Sequence, residues 1–262
     1  MGHLLEIAIK ASLAAGMRIM EIYDNEDFEL EAKDDNSPLT KADLTSHKVI
    51  MEFLKETNIP VLSEEGKHLS YEQRKQWSKL WIVDPLDGTK EFIKKNGEFT
   101  VNIALIENQV PILGVIYVPV LKELYFAEKQ GGSFKLEDIL KFTSLEKIYR
   151  DAGQLPLNIA KANYTVVASK SHLSPETVEY IKGLEKAHGK VERLSKGSSL
   201  KFCMVAEGRA DCYPRFSPTM EWDTAAGQAI CMYAGKTVRD FKSRKEMIYN
   251  REELLNNWFL VK

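Results

Sequence analysis

The feature that most limits how this chain can fold is the hexapeptide Asp84-Pro85-Leu86-Asp87-Gly88-Thr89, directly after the apolar run Leu80-Trp81-Ile82-Val83. The run is rich in strand formers, so the pattern predicts a strand delivering two carboxylates onto one tight turn. Such a turn can aim Asp84 and Asp87 at one point, with the Leu86 carbonyl facing the same way. Gly88 lets backbone come close to a ligand. Thr89 adds a hydroxyl, and successive N–H groups at a helix start there can hold an anion.

Three further acidic positions stand in comparable places. Glu64, in Ser63-Glu64-Glu65-Gly66, follows Val61-Leu62 at an expected strand end. Asp43 opens an expected second helix after Thr40, and Asp223 opens an apolar helix in Trp222-Asp223-Thr224-Ala225-Ala226-Gly227. Singly, each has an ordinary explanation: a turn, a solvated pair or a helix cap. Together they form a set of hard oxygen donors without His or Cys, which favours Mg²⁺ or Mn²⁺ over zinc. Carboxylates crowded in a cleft repel one another, and cations relieve that repulsion. Two or three such ions can bridge a phosphate and activate a water.

The remainder of the chain reads as layered helix and sheet. Leu4, Ala8, Ala11, Ala15, Ile19 and Ile22 recur every three or four residues, one face of a helix of about five turns. A second helix is expected over 43–56, and Asn58 to Pro60 stops it. Residues 99–106 and 110–118 read as a hairpin, continued by 123–127 and a turn at Gly131-Gly132. The segment 136–153 is charged and weakly patterned, and Gln154-Leu155-Pro156 looks like a junction. After it come a strand at 164–168, a helix opened by Ser174-Pro175, a helix near 198–207, a strand at 210–213 and a helix from Trp222 or Asp223. We therefore expect an N-terminal α+β part, residues 1–155, carrying most of the acidic set. A C-terminal α/β part, residues 156–262, carries Asp223, with a shared cleft between them.

Composition narrows the field. The 36 basic and 38 acidic residues leave a net charge of -2, which argues against a nucleic-acid polymer as partner. The three cysteines, Cys203, Cys212 and Cys231, are read as small buried thiols in a reducing compartment. The first helix is interrupted by charges and lacks the design of a signal peptide, and no apolar stretch reaches membrane-span length. A cytoplasmic protein is expected. Gly235-Lys236-Thr237 is not a P-loop, because Ile230 stands where that motif needs glycine.

On these residues the chain resembles the inositol monophosphatase superfamily of lithium-sensitive, Mg²⁺-dependent phosphatases. The likeness rests on Ser37-Pro38-Leu39-Thr40-Lys41-Ala42-Asp43, Leu62-Ser63-Glu64-Glu65 and residues 81–92. Further on it rests on Gly197-Ser198-Ser199-Leu200-Lys201-Phe202, Tyr213-Pro214-Arg215 and residues 222–227. Lys90-Glu91-Phe92 and the later motifs resemble the bacterial 3'(2'),5'-bisphosphate nucleotidases of the CysQ type, which act in sulfur metabolism. The resemblance implies an α+β fold, the layered α-β-α-β-α sandwich of the inositol monophosphatase and fructose-1,6-bisphosphatase type. It implies metal ligands Glu64, Asp84, the Leu86 carbonyl, Asp87 and Asp223 for two or three Mg²⁺ ions, with Mn²⁺ as a substitute. Asp43 and Thr89 would orient the attacking water, with Glu64 as a third catalytic group. Leu86, Asp87, Gly88, Thr89 and Asp223 would also meet the substrate phosphate.

The activity implied is hydrolysis of the 3'-phosphate of adenosine 3',5'-bisphosphate, and of its sulfated relative, to AMP-type products and phosphate. An inositol or sugar monophosphatase using the same metal site is the alternative. Lys201 and Arg215 are candidates for a distal phosphate, and Ser198 and His172 for ribose or base. Residues 136–153 could form a lip over the cleft or a dimer contact. A monomer or homodimer, free or peripheral on the inner membrane, fits the resemblance.

Overall fold

The computed structural model describes residues 2–25, 31–32, 38–67, 69–169 and 173–262. Helix α1 (Gly2–Asn25) turns Ala8, Ala11, Ala15 and Ile19 fully inward, as the periodicity predicts, with Leu5 buried beside them and the expected Leu4 and Ile22 partly buried. After the short pair β1 (Glu31–Ala32) and β2 (Pro38–Leu39), helix α2 (Lys41–Leu54) begins with a capping box. Thr40 Oγ1 accepts from the Ala42 N–H, and the Asp43 carboxylate accepts from the Thr40 N–H at 2.8 Å. The helix ends in a 3₁₀ turn, Lys55–Thr57.

A seven-stranded sheet follows. Its strands are β3 (Val61–Ser63), β4 (Lys79–Asp87), β5 (Thr100–Glu107), β6 (Val110–Val118), β7 (Glu123–Glu128), β8 (Gly132–Leu136) and β9 (Gly153–Gln154), hydrogen-bonded in that order. Short helices α3 (Tyr71–Arg74), α4 (Thr89–Ile93) and α5 (Leu145–Asp151) sit in the connections. Only β3 and β4 pair in parallel; the remaining neighbours are antiparallel. The β5–β6 hairpin stands where the sequence places it. β8 follows the turn at Gly131-Gly132 and ends where the weakly patterned stretch begins, and β9 lies at the far end of that stretch.

The chain then forms β10 (Tyr164–Ala168), α6 (Pro175–His188), β11 (Val191–Ser195), α7 (Leu200–Glu207), β12 (Tyr213–Arg215), α8 (Glu221–Tyr233), β13 (Val238–Asp240) and β14 (Phe259–Val261). β10 and β11 run parallel, and β14 lies between β12 and β13 in a small antiparallel sheet. A bridge from Val166 to Cys212 joins the two. As predicted, Ser174 caps α6 by accepting from the Thr177 N–H, with proline next to it. β11, β13 and β14 escape the sequence reading because half or more of β11 is exposed and the other two are only three residues long.

The layers are α, β, α, β, α. Helices α1 and α2 pack on one face of the seven-stranded sheet, α7 and α8 lie beyond the other, the smaller sheets follow, and α6 closes the stack. Strand β4 shows why its sequence is an uninterrupted apolar run: Trp81 and Val83 enter the core under α1 and α2, whereas Leu80 and Ile82 enter the core under α7 and α8. Each such fully buried large side chain contributes ~1.5–3 kcal/mol. Cys203, Cys212 and Cys231 are free and buried, and burial pushes all three thiols up. Among the described residues no helix is long and apolar enough to cross a membrane.

Candidate metal and phosphate site

The acidic pair of the opening hexapeptide sits within β4, not on a turn after it. Asp84 pairs with Asn102 of β5, and Asp87 pairs with Thr100. Three residue steps on β4 therefore oppose two on β5, which is a bulge over Pro85-Leu86. In a regular strand residues three apart point to opposite faces. The extra residue turns Asp84 and Asp87 to the same face, the one that carries Leu80 and Ile82 toward α7 and α8. Proline suits the bulge because it has no N–H to offer the ladder. Leu86 packs its side chain into the opposite core, which leaves its carbonyl as the group it can offer.

Glu64 arrives from the end of β3, where its N–H donates to the Val83 carbonyl at 3.1 Å. Asp223 arrives as the third residue of α8, its Oδ2 accepting from the Met220 N–H at 2.7 Å. Glu64, Asp84 and Asp223 each offer an oxygen, and these oxygens lie within 4.8 Å of one another. Asp87 is outside that tight trio but acts on it: its charge raises both Asp84 and Asp223. The Asp84 carboxyl is held well above the usual carboxylate range, by burial first and then by Glu64, Asp87, Asp223 and Asp43. Burial, Asp87 and Glu64 push Asp223 up to about 8, against the pull of the Met220 N–H and Arg215. Charges arranged to oppose one another in this way mark a functional site.

Asp43 and Thr89 meet beside this group. Thr89 Oγ1 donates to Asp43 Oδ1 at 3.0 Å, while Asp43 Oδ2 accepts from both the N–H and the hydroxyl of Thr40. Asp43 thus caps α2 while standing beside the acidic group, and Asp223 caps α8 from within it. Gly88 precedes α4 with φ +99°, and a Cβ there would stand 3.1 Å from the Glu98 carbonyl and 3.3 Å from Ser198 Cβ. Only glycine fits that conformation and that approach.

A cleft runs from this centre along Asp87, Gly88, Ser198, Lys201, Arg215 and Asp223. Burial lowers the Lys201 ammonium to about 8. Its Nζ donates to the carbonyls of Ser198 at 2.6 Å and Lys196 at 3.3 Å. Arg215 Nη2 donates to the Pro218 carbonyl, and its buried Nε has no hydrogen-bond partner among the described residues. The Ser198 hydroxyl is already engaged, with Asp87 and Thr100. His172, the other expected ribose or base contact, lies outside the described residues.

Sequence reasoning passed over Thr100, Asn102 and Ser199. Asp87 Oδ2 accepts from Ser199 Oγ at 2.8 Å, Ser198 Oγ at 2.9 Å and Asn102 Nδ2 at 3.3 Å. A signal was present: Thr100 and Asn102 are polar at a two-residue period in an otherwise apolar strand, and both are buried. His47 is not part of the acidic group; its Nδ1 stands 2.9 Å from Ser63 Oγ.

The model of the inositol monophosphatase family matches residues 1–260. The 3'(2'),5'-bisphosphate nucleotidase CysQ of Salmonella typhimurium strain LT2 is 46% identical over 98% of this chain and 99% of its own. That of Escherichia coli strain K12 is 46% identical over 94% of each. The crystal structure of CysQ from Bacteroides thetaiotaomicron, a bacterial member of the inositol monophosphatase family, superposes with a TM-score of 0.94 at 53% identity, covering 100% of this chain and 97% of that one. With its layered fold and its convergent carboxylates, this chain belongs to the inositol monophosphatase family.

Proposed function

We propose that this protein hydrolyses the 3'-phosphate of adenosine 3',5'-bisphosphate, giving AMP and phosphate, with Mg²⁺ held by Glu64, Asp84, Asp87, Asp223 and the Leu86 carbonyl. One observation carries the reading: three carboxylates from three separate elements converge within 4.8 Å, next to a cleft lined by Lys201 and Arg215. The residues fit a hard divalent cation. All donors are oxygens, and the neighbouring charges that act most strongly on Asp84 are all negative, a crowding that protons or a divalent cation relieve. When bound, Mg²⁺ supplies neutralisation of phosphoryl charge and a water of lowered pKa.

The protein's own groups position the reaction. With its proton given to Asp43, the Thr89 hydroxyl keeps lone pairs that can accept from a water and orient it. Glu64 is the carboxylate assigned to the same water. The first N–H groups of α4, at Thr89 and beyond, have no partner within the helix and face the anion that Gly88 lets approach. Phosphoryl transfer needs positioning and charge stabilisation more than covalent chemistry, and this set provides both.

The 5'-phosphate is assigned to Lys201 and Arg215. Lys201 has three donors and uses two on carbonyls, and Arg215 Nε is a buried donor with no partner among the described residues. The same contacts would accept the sulfated relative, whose 3'-phosphate is unchanged. The relatives named as bisphosphate nucleotidases support this substrate class. The test is phosphate release at fixed Mg²⁺ from adenosine 3',5'-bisphosphate, its sulfated relative, inositol monophosphate and sugar phosphates. Fastest turnover of the bisphosphate nucleotide is expected. Faster turnover of inositol monophosphate would reject it in favour of an inositol or sugar monophosphatase.

A further inference from the structure

The geometry points to a cage of side-chain donors, Asn102, Ser198 and Ser199, that makes Asp87 a one-oxygen metal ligand. This rests on the metal reading above and adds residues that hold a ligand without touching the cation. The three donors all end on Oδ2 of Asp87, at 2.8 to 3.3 Å. A carboxylate oxygen has room for about two lone-pair partners, so three leave no place for a cation on that atom. Oδ1 is then the only oxygen of Asp87 available to a cation.

The cage is itself held from behind. Asn102 Oδ1 lies 2.9 Å from Thr100 Oγ1, whose single proton serves either this oxygen or Ser198 Oγ, and with its oxygen on that side the amide presents its nitrogen to Asp87. Asn102 Nδ2 also donates to Ser199 Oγ at 2.9 Å, and Thr100 Oγ1 stands 2.6 Å from Ser198 Oγ. Ser199 Oγ lies 3.2 Å from the Asp223 carbonyl, so the cage touches a second ligand residue through its backbone. Thr100, Asn102 and Ser199 are at most 1% exposed.

The loop bearing the serines is tied down in a conformation that the chain would not choose alone. Ser198 has φ +51°, a left-handed conformation that a non-glycine residue rarely adopts. Two anchors hold it there. Glu98 accepts from the Gly197 N–H at 2.8 Å and from Lys196, and Lys201 donates to the carbonyls on either side of Gly197. Strain maintained by surrounding bonds at a functional residue is the expected signature of an enforced side-chain direction. Asp223 shows the same device in simpler form, one oxygen capped by a backbone N–H and the other left over. Removal of partners that orient a metal ligand typically lowers metal affinity by about 10–100-fold.

Mn²⁺ binding to the intact, substrate-free protein, followed by electron paramagnetic resonance, tests the cage. The variants are Ser199→Ala, Asn102→Ala, Ser198→Gly and the conservative Ser199→Thr, with melting in EDTA as the check on folding. Wild type is expected to bind Mn²⁺. Ser198→Gly removes a donor yet suits φ +51°, so its melting temperature should stay near that of wild type while affinity for one class of Mn²⁺ falls about tenfold or more. Ser199→Ala and Asn102→Ala should lose affinity in the same class, and Ser199→Thr should restore it. Wild-type Mn²⁺ affinity in a folded Ser198→Gly protein overturns the cage and leaves the metal site standing. No Mn²⁺ binding by wild type overturns both.

Discussion

Thr89 and Asp43 are 46 positions apart in the chain, yet the Thr89 hydroxyl donates to Asp43 Oδ1 at 3.0 Å, joining the starts of α4 and α2. Asp43 Oδ2 is held by Thr40, so the carboxylate cannot swing away and the Thr89 hydroxyl is committed to one direction. Thr89→Val keeps the volume and removes the hydroxyl. It should lower kcat for phosphate release by about 10²–10⁴-fold, the usual scale of a positioned proton-handling group. Wild-type kcat at saturating Mg²⁺ would remove the pair from the mechanism.

Asp87→Asn should nearly abolish Mg²⁺-dependent phosphate release, and near-wild-type activity would show the ligand assignment to be wrong. Asp84→Asn should be equally inactive but stable without metal. Burial and four neighbouring carboxylates favour the protonated form of Asp84, and asparagine has nearly that shape. Its melting temperature in EDTA at neutral pH is expected within a few degrees of wild type; loss of the folded form would contradict the repulsion argument.

The metal-free protein should lose stability as pH rises from acid to about 8. Asp223 has an ordinary value of 3.8 and is pushed up to about 8 in the fold. Between those values the folded state holds a proton that the unfolded state has released, so stability is greatest below 3.8 and falls as pH rises through about 8. Melting temperatures in EDTA should decline across that window. Saturating Mg²⁺ should flatten the slope, because cation binding displaces the proton. An unchanged slope with Mg²⁺ present would separate the cation from Asp223.

Lys201 supplies a second pH effect of different origin. Burial lowers its ammonium to about 8, so it loses charge as pH climbs past that value. The KM for adenosine 3',5'-bisphosphate should rise there, while the KM for a 3'-monophosphate without the distal group should not. Lys201→Met should raise KM at neutral pH and remove the alkaline rise. Parallel profiles for the two substrates would place the distal phosphate elsewhere.

Gly114 of β6 lies directly beneath α8. A Cβ there would stand 2.6 Å from Ala229 Cβ and 2.7 Å from the Ala226 carbonyl, and neither can yield without moving the helix. Gly114→Ala should cost about 1–3 kcal/mol in urea unfolding, through overpacking. It should also weaken Mn²⁺ binding, because α8 carries Asp223. Unaltered stability would mean that the sheet and helix separate more easily than their contact suggests.

Much of this was readable from local pattern. The face of α1, the cap at Ser174, the β5–β6 hairpin and the acidic positions each depend on residues a few places apart, and residue chemistry over that range is visible in one dimension. Other features had no local signal. Glu98 before β5, Lys201 in α7 and the serines between them become one support for Asp87 only when the second half of the chain lies against the first. That Asp84 and Asp87 face together was expected from a turn, but the bulge against β5 that brings it about was hidden, because residues three apart in a regular strand point to opposite faces.

What the sequence determined by itself, then, was the identity of the oxygen donors and the elements that would carry them. Their direction was decided by the tertiary structure. Pairing register and layer packing act between residues distant in the chain, and a carboxylate has a usable orientation only once its second oxygen has been occupied by such neighbours.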